Sequence, residues 1–198
     1  MREATVNQLN NFIAGWYMDD TAICDDIVKF HSTTPAKSVG KVGNKIDLNV
    51  KDSIDAILDY DTTLYKEYCK HLKQILDLYS DKFKPFVQEC AAFSVYEAIN
   101  VQYYKPGAGF KKWHTERDNP QYPFVNRHLA FMTFLTDVED GGETEFYYQQ
   151  IKIRPEKGLT LMWGVDWTFT HRGIVSPTQE KYITTGWLSF KDREKESV

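Results

Sequence analysis

Leu129-Ala130-Phe131-Met132-Thr133-Phe134-Leu135 and, later, Tyr182-Ile183-Thr184-Thr185-Gly186-Trp187-Leu188-Ser189-Phe190 are short β-branched and aromatic runs bounded by turn residues, the texture of strands. Ile99 to Tyr104, Glu143 to Tyr148 and Leu159 to Trp163 share it. Many short strands after about Phe93 imply a sandwich or a jelly-roll. Gly141-Gly142, between two such runs, reads as a hairpin turn, because two residues free to take positive φ match the twist of flanking strands.

Upstream the pattern changes, and the first 92 residues read as a helical support region for a β core over 93–190. Asp19-Asp20-Thr21 carries N-cap chemistry ahead of Ile23, Ile27, Val28 and Phe30 at helical spacing. From Thr63, Leu64, Tyr65, Tyr68, Cys69, Leu72, Ile75, Leu76 and Tyr79 recur at three- and four-residue steps with Lys66, Glu67, Lys70 and Lys73 between them, which predicts an amphipathic helix. Residues 32 to 54, with several Gly, Ser and Thr, read as a surface connection or a mobile loop near a substrate site.

The 198 residues fit one domain, and 42% hydrophobic content is enough for a substantial core. A formal net charge of −4 gives no global field that would favour nucleic acid or an anionic membrane. No run approaches the roughly 20 apolar residues of a membrane span, and MREATVNQLNNF lacks the apolar core of a secretory signal, so a soluble cytoplasmic protein is the expectation. Cys24, Cys69 and Cys90 are odd in number and widely spaced; they read as buried thiols rather than as disulfides or zinc ligands. Oligomeric state is not legible.

The chemistry begins at Trp113-His114-Thr115-Glu116. On an extended chain alternate residues share a face, so His114 and Glu116 can present an imidazole and a carboxylate to one point. An H-x-E alone carries little, because chance supplies it often. His171, in Phe169-Thr170-His171-Arg172-Gly173, follows far enough along for several strands to return beside the pair. Two imidazoles and one carboxylate with the opposite positions open form the facial triad suited to Fe(II). Asp118 is the alternative carboxylate, displaced by about two residue rises, roughly 7 Å. His128 reads as a structural or surface residue.

Around these residues stand Gly141-Gly142-Glu143-Thr144-Glu145-Phe146, Arg154-Pro155-Glu156-Lys157-Gly158, His171-Arg172-Gly173, Pro177, Lys181-Tyr182 and Trp187. In that order, over about residues 99 to 190, the chain resembles the prolyl 4-hydroxylase branch of the Fe(II)- and 2-oxoglutarate-dependent oxygenases. The resemblance implies a double-stranded β-helix (jelly-roll) flanked by α-helices, with iron on His114, Glu116 and His171. It further implies 2-oxoglutarate with its distal carboxylate on Lys181 and with Tyr104 and Thr133 beside it, and ascorbate as an optional addition. Trp187 resembles a tryptophan beside the active site. Arg127 matches an arginine near the pocket mouth that binds substrate or braces the fold. The implied reaction is a dioxygenase hydroxylation of a C–H bond, with proline in a peptide or protein favoured as substrate and a small molecule left open. Phe110, Trp113, Tyr122 and Phe124 are candidates for a groove around it.

Two departures stand out: Glu116 where the family usually has Asp, and Thr133 where relatives often have Tyr. The competing classes are a non-redox, cupin-like metalloenzyme and a non-catalytic binding module. The spacing of Lys181, ten residues after His171, speaks against the first.

Overall fold

The computed structural model describes residues 1–5, 11–43, 45–84 and 86–191. Of the N-terminal stretch read for a secretory signal, residues 6–10 lie outside them. In chain order the elements are β1 (Arg2–Glu3), β2 (Ala14–Tyr17), α1 (Ala22–Thr33), β3 (Lys37–Val39), β4 (Ile54–Leu58), α2 (Thr63–Lys82), α3 (Phe86–Glu89), β5 (Phe93–Ser94), β6 (Ile99–Tyr104), β7 (Arg127–Phe134), β8 (Thr144–Phe146), β9 (Ile151–Ile153), β10 (Leu159–Gly164), β11 (His171–Gly173) and β12 (Lys181–Phe190). The fold is mainly β with helices, and the strands pair antiparallel.

A nine-stranded sheet runs β1-β2-β10-β7-β12-β6-β4-β3, with β5 also paired to β12. A second sheet has three strands, β11-β8-β9. Strand β7 shows how alternation separates two cores. Leu129 and Phe131 join the cluster beneath the helices, with Cys24, Ile27, Tyr68, Leu72 and Ile75. Ala130, Met132 and Phe134 face the other way and pack with Phe146, Ile153, Trp163 and Ile183, so this second core lies between the two sheets.

Helix α2 begins where its pattern begins: Thr62 caps it, the side chain accepting from the Tyr65 amide at 3.1 Å. Tyr68, Leu72, Ile75 and Tyr79 are its buried stripe. Helix α1 buries Cys24, Ile27 and His31, and Asp20 accepts from the Ala22 amide at 2.9 Å.

Three expectations need correction. The first 92 residues are not only helical: β2 pairs with β10 and β4 with β6, inside the large sheet. Strands of four and five residues are too short to declare a period. Gly141-Gly142 does not close a hairpin, because β7 and β8 lie in different sheets; the β8–β9 turn is at residues 147–150. Both glycines still take positive φ (77° and 78°), and a Cβ on Gly141 would sit 2.6 Å from the Val175 carbonyl oxygen, so the pair lets the chain cross between sheets at close approach. Of the three free cysteines only Cys24 is buried, while Cys69 and Cys90 are partly exposed. Among the described residues no helix is long and apolar enough to cross a membrane.

Candidate active site

The segment carrying His114 and Glu116 is extended but is not a regular strand. His114 and His171 form an isolated antiparallel bridge, each backbone amide donating to the other's carbonyl at 3.0 and 2.9 Å. The intervening residues point outward and anchor the segment. Thr115 Oγ1 donates to the Val165 carbonyl at 2.6 Å, and Arg117 grips Asp166 at 2.6 Å. Alternation therefore turns His114 and Glu116 inward together, toward the His171 side chain at the start of β11.

Each imidazole is oriented by the backbone two residues before it. Nδ1 of His114 lies 3.0 Å from the Lys112 carbonyl and Nδ1 of His171 lies 2.9 Å from that of Phe169. A carbonyl can only accept, so each Nδ1 carries a proton, and the Nε2 of each ring is the atom turned toward Glu116 and open to a ligand. Phe110 stacks on His114 with ring centroids 3.8 Å apart and planes 7° from parallel, and Trp163 packs edge-on to His171 at 5.2 Å.

Glu116 Oε1 stands 3.3 Å from His171 Nε2 and 3.8 Å from His114 Nε2, and the three residues offer ligand atoms all within 4.8 Å of one another. The other oxygen, Oε2, accepts from Trp187 Nε1 at 2.8 Å. Burial alone would raise the Glu116 pKa, but the bond and charge of His171, the charge of His114 and the Trp187 N–H outweigh it and lower it to about 2. Burial, helped by the charge of His171, lowers that of His114 to about 4. At neutral pH the pair is a carboxylate and a neutral imidazole, the forms a metal needs.

These groups line a cavity of about 730 Å³ that also reaches Tyr104, Thr144, Gly173 and Lys181. Lys181, at the first position of β12, is 5% exposed; its Nζ donates to the Gly142 carbonyl at 2.8 Å and lies 5.2 Å from the centre of the Tyr104 ring. Burial, partly offset by Glu143, lowers its pKa to about 8. Among the described residues no carboxylate forms an ion pair with it. A buried ammonium held by one carbonyl fits an incoming anionic group.

Residues 99–189 match the model of the 2OG-Fe(II) oxygenase superfamily. Over that segment, somewhat under half of the chain, it resembles that superfamily. It is similar to probable prolyl 4-hydroxylase 9 of Arabidopsis thaliana, 25% identical over 123 residues that span 50% of this chain and 43% of the relative. Among solved structures it resembles the viral collagen prolyl hydroxylase of Paramecium Bursaria Chlorella virus-1 in its 2OG complex, with a TM-score of 0.71 at 18% identity, covering 92% of this chain and 98% of that one. It also resembles a Trichoplax adhaerens prolyl hydroxylase in complex with a hypoxia inducible factor peptide, with a TM-score of 0.72 at 17% identity, covering 98% and 91%. At these identities the structural likeness is one of fold.

The donor set fits the superfamily's Fe(II): two Nε2 lone pairs and a carboxylate oxygen on one side, the cavity on the other. Lys181 fits a carboxylate of 2-oxoglutarate. Of the other pocket residues expected in a superfamily member, Tyr104 lines the cavity with its hydroxyl donated to Gln102 Oε1 at 2.7 Å, and Trp187 reaches the site through Glu116. Thr133 is not brought there. It lies on the helix-facing side of β7, within 2.7 Å of both the Tyr68 hydroxyl and Thr160 Oγ1, so the parity of the strand takes it away from the cavity. Arg127 lines the cavity, but its polar groups are engaged with Glu97 at 2.6 Å and with the Glu116 carbonyl at 2.9 Å, which makes it a brace rather than a free substrate contact. Asp118 is exposed and outside the triad. His128 packs between Phe93 and Phe190, as a structural residue. Phe110 and Phe124 line the cavity, whereas Trp113 lies under Arg172 and Tyr122 is exposed.

The opposite wall comes largely from residues 32 to 54, of which the sequence reading singled out no individual side chain. Ser38, Val39, Lys41 and Val42, from the segment read as a surface connection or a mobile loop near a substrate site, border the cavity, and so do Lys51 and Asp55. Lys51 is buried and pairs with Asp55 at 2.7 Å, and Ser53 Oγ donates to the same carboxylate at 2.7 Å. The Lys-x-Ser-x-Asp alternation was the available signal. Lys51 bridges to Phe110, which ties this wall to the segment bearing His114.

Proposed function

We propose that the chain is an Fe(II)- and 2-oxoglutarate-dependent dioxygenase that hydroxylates a C–H bond, with proline in a peptide or protein as its substrate class. In this reading the two sheets are the two faces of a double-stranded β-helix, within a single domain over residues 1–198. His114 Nε2, Glu116 Oε1 and His171 Nε2 hold the metal, and Lys181 receives the distal carboxylate of 2-oxoglutarate with the Tyr104 ring beside it. The convergence of three ligand atoms within 4.8 Å, in one cavity with a buried lysine that has no carboxylate partner among the described residues, carries this proposal.

When bound, iron supplies the redox chemistry that couples oxidative decarboxylation of 2-oxoglutarate to hydroxylation. The protein's own groups do the rest. The Lys112 and Phe169 carbonyls fix the imidazole tautomers, Glu116 stays ionised through the working pH range, and Lys181 orients the co-substrate by a charge-assisted contact. Phe110, Phe146 and Trp163 surround the imidazoles with apolar surface that excludes water. The peptide substrate is supported by the likeness to prolyl hydroxylases, one of which is seen with a peptide.

Anaerobic addition of Fe(II) and 2-oxoglutarate should produce a visible metal-to-ligand charge-transfer band, and admitting air should release succinate. Iron bound stoichiometrically with neither band nor succinate would return the non-redox metalloenzyme to first place.

A further inference from the structure

The two oxygens of Glu116 are treated differently by the fold. Oε1 faces the imidazoles at 3.3 and 3.8 Å, while Oε2 accepts the indole N–H of Trp187 at 2.8 Å. An indole nitrogen can only donate, so the contact has one polarity. The indole is itself fixed. The Arg127 guanidinium lies 3.5 Å over its ring, and the same guanidinium donates to the Glu116 carbonyl at 2.9 Å. Glu97 completes the arrangement, accepting from Arg127 at 2.6, 2.9 and 3.1 Å and from Ser189 Oγ at 3.2 Å. Arg127 thus touches Glu116 twice, directly at its backbone and through Trp187 at its carboxylate.

We propose that Trp187 is a positioning residue that keeps Glu116 Oε2 out of the metal site, so that a metal is offered Oε1 alone, and that Arg127 and Glu97 hold the indole in place for this. The proposal rests on the metal-centre reading above. A carboxylate with both oxygens free can chelate one ion and occupy two positions, which removes one from those needed by co-substrate and oxygen. Glu has one more rotatable bond than Asp, so a fixed donor matters more here than where the ligand is Asp.

The test compares wild type with Trp187→Phe, which deletes the N–H and keeps an aromatic ring, by anaerobic titration of the metal-free proteins with Co(II) as the coloured probe ion. The variant should bind Co(II) about 10- to 100-fold more weakly, the usual effect of losing a partner of a metal ligand. Its visible absorption per bound ion should also fall as the second oxygen joins the coordination. In a Glu116→Asp background, where the shorter side chain cannot reach both ion and indole, the same replacement should change affinity little. A folded Trp187→Phe protein with wild-type affinity and spectrum overturns the proposal. Should that variant not fold, nitrogen-15 spectra of the tryptophan indoles in the wild type decide: one N–H signal should be slow to exchange and should shift in Glu116→Ala, and the absence of any responsive signal also overturns it. Failure of the wild type to bind Co(II) would remove the metal centre itself, whereas binding that Trp187→Phe leaves untouched removes only the role of Trp187.

Discussion

An ammonium taken out of water whose hydrogen-bond partner among the described residues is the Gly142 carbonyl holds its proton weakly, and burial brings Lys181 down to about 8. Truncating one partner of a buried charge pair costs on the order of 2–5 kcal/mol, so Lys181→Ala should weaken 2-oxoglutarate binding roughly 30-fold to several thousand-fold and leave Fe(II) affinity unchanged. Anaerobic titration measures both, and equal co-substrate affinity would show that the distal carboxylate lies elsewhere. The pH dependence has a definite sign. Between about 8 in the fold and roughly 10.4 in the unfolded chain, the unfolded state holds the extra proton, so stability without co-substrate should rise across that window. Co-substrate affinity should fall across it, because the neutral amine no longer attracts the carboxylate. That His114, Glu116, His171 and Lys181 meet in one cavity was legible in the sequence, because the first two share a face at alternate positions and the resemblance supplied the spacing of the others. Thr133 was misread because its facing depends on which side of β7 the helices cover. Arg127 was left undecided because Glu97, 30 residues away, determines how its guanidinium is used.

Among the elements, α2 was the most legible, because over 20 residues its apolar stripe repeats several times. What the period does not reveal is that α2 also joins the sheet through polar contacts. The Tyr68 hydroxyl lies 2.7 Å from Thr133 Oγ1 on β7 and 2.5 Å from Thr184 Oγ1 on β12, all three residues fully buried. Tyr68→Phe removes the hydroxyl but not the ring and should destabilise by about 1–3 kcal/mol, the cost of leaving buried partners unsatisfied. Leu72→Ala, which empties apolar space under the same helix, should cost about 2–5 kcal/mol. Denaturant melts measure both, and neither replacement should alter metal affinity, since Tyr68 and Leu72 belong to the core opposite the cavity. A matching loss of metal affinity would mean that the two cores are mechanically coupled. Strands β2 and β4 stayed hidden for the reverse reason: a few residues contain one or two alternations, and only pairing with β10 and β6 gives them their identity.

Across the whole molecule the candidate site lies between two sheets that are not hydrogen-bonded into one. His171 starts β11 in the small sheet, Lys181 and Trp187 lie on β12 in the large one, and His114 and Glu116 sit on the segment bridged to His171. A metal held by all three ligands, with an anion on Lys181, would therefore tie the sheets together. A ligand that binds only the folded state stabilises it by about 2.7 kcal/mol at a hundred times its dissociation constant. That gain should be unevenly distributed. The large sheet has nine strands and a helix-covered core independent of the site, whereas β8, β9 and β11 are three residues each and are held by one another and by the core between the sheets. A small sheet of short strands, with few backbone hydrogen bonds, opens at lower free energy than the long paired strands of a fold. Anaerobic Fe(II) with 2-oxoglutarate should accordingly slow amide hydrogen exchange most in β8, β9 and β11, and less in β6, β7 and the interior of β12. Lys181→Ala should keep the part of this protection due to metal and lose the part due to co-substrate. Slowing spread evenly over both sheets would mean that the ligands stabilise the fold globally and do not clamp one sheet to the other.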